Sequence, residues 1–126
     1  MSLSIRKSDI DFSIFIGQKV IDILPVGKEL FRIKFDNGSL NVECSWRFRD
    51  SQNILLGIGE IKEDHFISIL KNHILNQPIS NICHFEPIED LSIEFNNQFC
   101  IDLFSDSSTF EQYQLYQGEI LFIIGK

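Results

Sequence analysis

The chain has only three cysteines, Cys44, Cys83 and Cys100, and no CxxC pair. That number and spacing exclude a dense disulfide framework and suit free, mostly buried thiols in a reducing compartment. Long apolar runs are missing too. The longest, ILFII at 120–124, is far short of the roughly 20 residues needed to cross a bilayer as a helix. The opening MSLSIRKSDIDF lacks the apolar stretch of a secretory signal. The expected location is therefore cytoplasmic, with no membrane partner. Cations are scarce as well, with 11 Lys and Arg against 18 Asp and Glu, a net charge of −7 and a pI near 4.8. Such a field repels phosphate backbones, which argues against nucleic acid, and it speeds encounter with a basic protein.

Signatures of catalysis are equally sparse. No GxSxG elbow is present, and GIG at 57–59 lacks the third glycine and the lysine of a phosphate cradle. Ser105-Asp106-Ser107-Ser108-Thr109 gathers hydroxyls and a carboxylate, but the same composition is what turns and helix caps prefer. His65 and His73 stand about 12 Å apart along a helix, too far to share one ion. Cys83-His84 points its two side chains to opposite faces of a strand. No metal, no cofactor and no catalytic residue is expected. An enzyme or small-ligand binder would instead require a pocket holding His65, His73 or His84 beside a carboxylate.

What the chain does hold is a pattern stated twice. Phe31, Ile33 and Phe35 alternate with Arg32 and Lys34; Asp36-Asn37-Gly38-Ser39 turns; Leu40, Val42 and Cys44 alternate with Asn41 and Glu43. Alternation of this kind marks strands with one dry face, and Asn-Gly, tolerant of positive φ, is a strong hairpin signal. Further on, Leu91, Ile93 and Phe95 lead through Asn96-Asn97-Gln98 to Phe99, Ile101 and Leu103. QKVIDI and QPISNI precede the two copies, and a strand pair follows each. Trp46-Arg47-Phe48-Arg49 interleaves rings with arginines, either as a stacking and phosphate-contacting strip or, in a strand, as core rings beneath two surface arginines that the chain's surplus carboxylates can pair.

Between the copies, Phe66, Ile69, Leu70, His73 and Ile74 fall on one face of a helix over about 61–75. Glu60, Glu63 and Asp64 suit its positive end, and Pro78 forbids continuation. The expected class is α+β, mostly β: two pseudo-repeated antiparallel four-stranded units, about 17–59 and 77–126, joined by one amphipathic helix. With 126 residues, 44% of them hydrophobic and 12 of them phenylalanine, the chain fits one domain with a ring-filled core. A partly closed barrel is the alternative arrangement.

SLNVECSWRFRDSQNILLG, with SDSSTFEQYQLY and a glycine closing the last apolar strand, resembles a family of small uncharacterised bacterial proteins whose pattern runs SLNIECPWR and then YEQWQLY. Ser45 stands where that pattern has proline, Phe110 where it has tyrosine and Tyr113 where it has tryptophan. The resemblance covers most of the chain after Gly17 and transfers no catalytic residue. It implies a cytosolic bacterial immunity protein of the kind associated with polymorphic or contact-dependent toxin loci. A cognate basic toxin domain, such as a nuclease, is the partner expected on that reading. The acids Glu86, Glu89, Asp90, Asp106 and Glu111 are the candidate docking residues, with Phe110 and Tyr113 as aromatic anchors. The alternative is an interaction domain that forms a homodimer through a strand edge.

Overall fold

The computed structural model describes residues 4–27, 30–57, 65–105 and 112–125. A short strand β1 (Arg6–Lys7) and a 3-10 turn (Ser13–Phe15) precede β2 (Val20–Gly27), β3 (Leu30–Phe35), β4 (Gly38–Val42), β5 (Ser45–Arg49) and β6 (Ile54–Gly57). One helix, α1 (His65–Ile74), leads to β7 (Ile79–Glu86), β8 (Asp90–Phe95), β9 (Cys100–Phe104), β10 (Tyr113–Gln117) and β11 (Ile120–Gly125). The protein is mostly β, with one helix and two antiparallel sheets. One sheet has five strands in the order β11-β10-β4-β3-β2, the other six in the order β1-β7-β8-β9-β5-β6.

This order corrects the expectation of two separate four-stranded units. Each half keeps its first three strands together and gives its last two to the other half's sheet, so β5 pairs with β9 and β10 with β4. The reason lies in the unbroken alternation Leu40, Val42, Cys44, Trp46, Phe48, every member of which is buried. No Gly, Pro, Asn or Asp interrupts Glu43-Cys44-Ser45, so the chain does not double back. It bends at Cys44 and runs on with its dry face still inward, from one sheet into the other.

The leading hairpins share their register. In β2–β3, Val20 opposes Phe35 and Ile23 opposes Ile33, with a register shift between Val20 and Asp22. In β7–β8, Ile79 opposes Phe95 and Ile82 opposes Ile93, with the shift between Ile79 and Asn81. The two meet at a bridge between Lys19 and Pro78. Around it Gly17 N–H donates to Ile79 C=O (2.8 Å) and Asn76 N–H to Val20 C=O (2.8 Å). Gly17 (φ 90°) and Asn76 (φ 68°) both take the left-handed backbone, Asn76 just beyond the end of α1.

The two sheets and the helix enclose one core. Phe31 of the five-stranded sheet meets Trp46 of the six-stranded sheet edge to face, ring centres 5.1 Å apart, and both touch Phe66 of α1 at 5.9 and 5.5 Å. Phe66, Ile67, Leu70 and Ile74 form the buried face of the helix, while Ile69 and His73 are half-buried. Glu60, Glu63 and Asp64 lie outside the described residues. His73 Nδ1–H donates to Ile69 C=O (2.8 Å), and the ring sits against those of Phe48 and Phe99.

Two glycines are fixed by close approach. The Asn37-Gly38 turn does not use positive φ at either residue; Gly38 is needed because a Cβ there would overlap the Tyr116 carbonyl on β10. At Gly125 a Cβ would overlap the Tyr113 ring, which is fully buried and has nowhere to retreat. Gly125→Ala is therefore expected to lower stability by about 1–3 kcal/mol in urea unfolding. A loss below a few tenths would show that β11 shifts freely.

A candidate binding surface on the six-stranded sheet

The turn from β7 to β8 carries Glu86, Glu89 and Asp90, and the structure brings these acids together. Glu86 Oε1 pairs with Arg6 Nη2 at 2.7 Å. Glu89 Oε2 lies 2.6 Å from His84 Nε2, and Asp90 Oδ1 accepts the Ser105 N–H at 2.9 Å. Each acid thus already has an internal partner. His84 is almost wholly buried, with Nδ1 2.9 Å from Ser8 Oγ. Nε2 therefore faces the Glu89 carboxyl group and Nδ1 faces the Ser8 hydroxyl. A hydrolytic triad presents the acid at Nδ1 and the hydroxyl at Nε2, the reverse of this order. The ring ties the N-terminal segment to the turn, as does the Ser8 N–H bond to the His84 carbonyl (2.7 Å).

Tyr113 corrects an expectation. It is fully buried, and its hydroxyl donates to the Glu89 carbonyl at 2.8 Å. Burial, together with the Glu89 carboxylate, raises its pKa. The ring is core and cannot serve as a surface anchor, because β10 turns Tyr113 and Leu115 inward against the bend at Cys44. Asp106, Phe110 and Glu111 lie outside the described residues.

The best-organised polar cluster is elsewhere, on the outer face of the six-stranded sheet. In β9, Ile101 and Leu103 face the core, so Asp102 faces outward, directly across from Arg47 and beside Ser92. Yet its carboxylate is only 5% exposed. It accepts Arg47 Nε at 2.6 Å, Arg49 Nε at 2.6 Å and Nη2 at 3.2 Å, the Ser92 hydroxyl at 2.6 Å and the Cys100 thiol at 3.4 Å. Burial alone would raise the pKa of Asp102, but the hydrogen bonds from Arg49, Ser92 and Arg47 more than offset it and hold the group at about 2. The neighbouring Cys100 thiol is pushed up to about 12, by burial first and by Asp102 next. It is therefore inert as a nucleophile.

Above this carboxylate the two arginines are part-exposed, and the Arg47 guanidinium lies 5.0 Å from the centre of the Phe104 ring. Beside Arg49 a hollow of about 380 Å³ is lined by Ser51, Ser80, Glu94, Asn96 and Gln98 among others. Sequence alone places both arginines outside the core but does not find Asp102 as their shared partner, since residues 47 and 102 meet only through the exchanged strand pairing. The alternation in Cys100-Ile101-Asp102-Leu103 is the one signal that puts Asp102 on the outer face. No group of three or more metal-ligating side chains forms among the described residues, and none of their helices is long and apolar enough to cross a membrane.

Comparison with protein-family models, with curated proteins and with solved structures gave no match.

Proposed function

We propose that the protein is a non-enzymatic binding protein, a cytoplasmic immunity protein that neutralises a basic toxin domain such as a nuclease by direct contact. The observation that carries this reading is the unequal pairing of charge. Eight of the twelve described acids, Asp9, Asp11, Asp36, Glu43, Asp50, Asp90, Glu94 and Glu119, have no ion-pair partner among the described residues, against four of the eight described lysines and arginines, Lys7, Lys19, Arg32 and Lys34. An excess of unpaired acid gives fast, salt-sensitive association with a basic surface. The three free thiols suit a reducing compartment. Mixing the purified protein with the toxin domain encoded beside it should give a stable complex, whose association rate falls about ten-fold between low and physiological salt. No complex at micromolar concentrations, or a rate indifferent to salt, overturns the reading.

We further infer that residues 17–59 and 77–126 are two copies of one structural unit with their closing strand pairs exchanged. The matched registers of β2–β3 and β7–β8, and the paired bonds around Lys19 and Pro78, support it.

A second reading, a homodimer through a strand edge, is favoured by β11. This edge strand carries no charge and leaves Ile120 76% and Leu121 42% exposed, and an unprotected apolar edge invites pairing. Light scattering separates the two: a dimer that Leu121→Lys dissolves supports this reading, and a concentration-independent monomer removes it.

A further inference from the structure

We propose that Arg47 and Arg49, on the outer face of the six-stranded sheet, form a docking point for a single carboxylate, an Asp or Glu side chain presented by a protein partner. The inference goes beyond the toxin-binding reading and stands without it.

The geometry is that of a held fork. The carboxylate of Asp102 lies beneath both guanidiniums and takes the Nε of each, so it sets their orientation and not only their charge. Arg47 gives Asp102 only Nε; its two Nη groups make no hydrogen bond among the described residues, and the side chain is 40% exposed. The Phe104 ring, its centre 5.0 Å from the guanidinium carbon, limits the rotations the side chain would otherwise lose on binding. Two Nη groups with no hydrogen bond among the described residues, on a guanidinium oriented through Nε by Asp102, match the two oxygens of a carboxylate.

Charge decides which anion fits. Two guanidiniums face the ionised Asp102 between them and Glu94 in the row of Arg49, so the face carries no surplus charge as a whole and its positive end is Arg47. A single carboxylate fits at that end, whereas a doubly charged phosphate would remain uncompensated and would be opposed by Glu94. Arg49 also gives Nη2 to Asp102, so Arg47 is the principal contact. The hollow beside Arg49 leaves room for the residues that flank the incoming acid.

The test uses the whole chain, labelled in its arginine side chains, and three blocked pentapeptides, Gly-Ser-X-Ser-Gly, in which X is Glu, Gln or phosphoserine. NMR signals of the Arg47 guanidinium are followed at fixed ionic strength. The Glu peptide is expected to move them along a saturating curve, with the Gln peptide at least ten-fold weaker. Arg47→Lys keeps the charge and loses the fork, and is expected to weaken Glu-peptide binding at least about five-fold while the amide spectrum stays that of the folded protein. Shifts that never saturate, equal binding of the Gln peptide, tighter binding of the phosphoserine peptide, or an unchanged affinity in Arg47→Lys would each overturn the proposal.

Discussion

Asp102→Ala is expected to lower the unfolding free energy by about 2–4 kcal/mol. Removing one member of a buried ion pair typically costs 3–5 kcal/mol, because the partner is left charged and unpaired. Here the partners Arg47 and Arg49 are 40% and 33% exposed, so water recovers part of the loss. Ser92 and Cys100 lose their acceptor as well. Asp102→Asn, which keeps the shape and removes the charge, isolates the ionic share. Chemical unfolding at neutral pH measures both, and a loss under 1 kcal/mol for the alanine variant would show that the cluster is ornamental to folding.

The same carboxylate makes stability depend on acid in a definite direction. Its folded pKa, about 2, lies below the ordinary 3.8, so its contribution is fully present above pH 3.8 and disappears as pH falls toward 2. The shift corresponds to roughly 2 kcal/mol. Asp11, Asp22 and Asp50 are also lowered, each first by a backbone hydrogen bond, and act on acid stability in the same direction. The contribution of Asp102 is therefore read as the difference between the native chain and Asp102→Asn, whose stability should fall less steeply between pH 4 and 2.

Phe31→Ala is expected to cost about 3–5 kcal/mol, the range for deleting a buried ring. Phe31 has no exposed surface and stands where both sheets and the helix meet, against Trp46 and Phe66. None of these three elements closes on the cavity without leaving its other contacts, so relaxation recovers little. Trp46 is the only tryptophan, and its fluorescence reports the change directly, red-shifting if water enters. Phe31→Leu, with less volume lost, should cost under half as much. Equal costs for both variants, or an unchanged Trp46 signal, would contradict the junction role given to this ring.

Much of the fold was legible as pattern. The strands around Phe31–Phe35 and Leu91–Phe95 stand where alternation places them, and so do the buried rings Trp46 and Phe48 beneath Arg47 and Arg49. The helix at 65–74 keeps the expected apolar face, with Ile67 added to its buried side. Alternation reports which face of a strand is dry, but it is silent on which strand lies alongside. That silence explains why the exchange of the closing strand pairs had to come from the structure. The same limit applies to Tyr113: an aromatic beside a polar segment reads as an anchor until β10 is seen to turn it inward onto Glu89.

The sequence by itself determined the negative charge, the period-2 faces and the amphipathic helix, because these depend only on residue type and near spacing. The tertiary structure alone decided that Arg47 and Arg49 share Asp102, and that Glu86 and Glu89 answer to Arg6 and His84. Arg6, Arg47 and Arg49 lie 53 to 80 residues from their partners, and His84 meets Glu89 only across the turn from β7 to β8; hydrogen bonds of 2.6 to 2.9 Å exist only once the strand register and that turn have set the groups face to face.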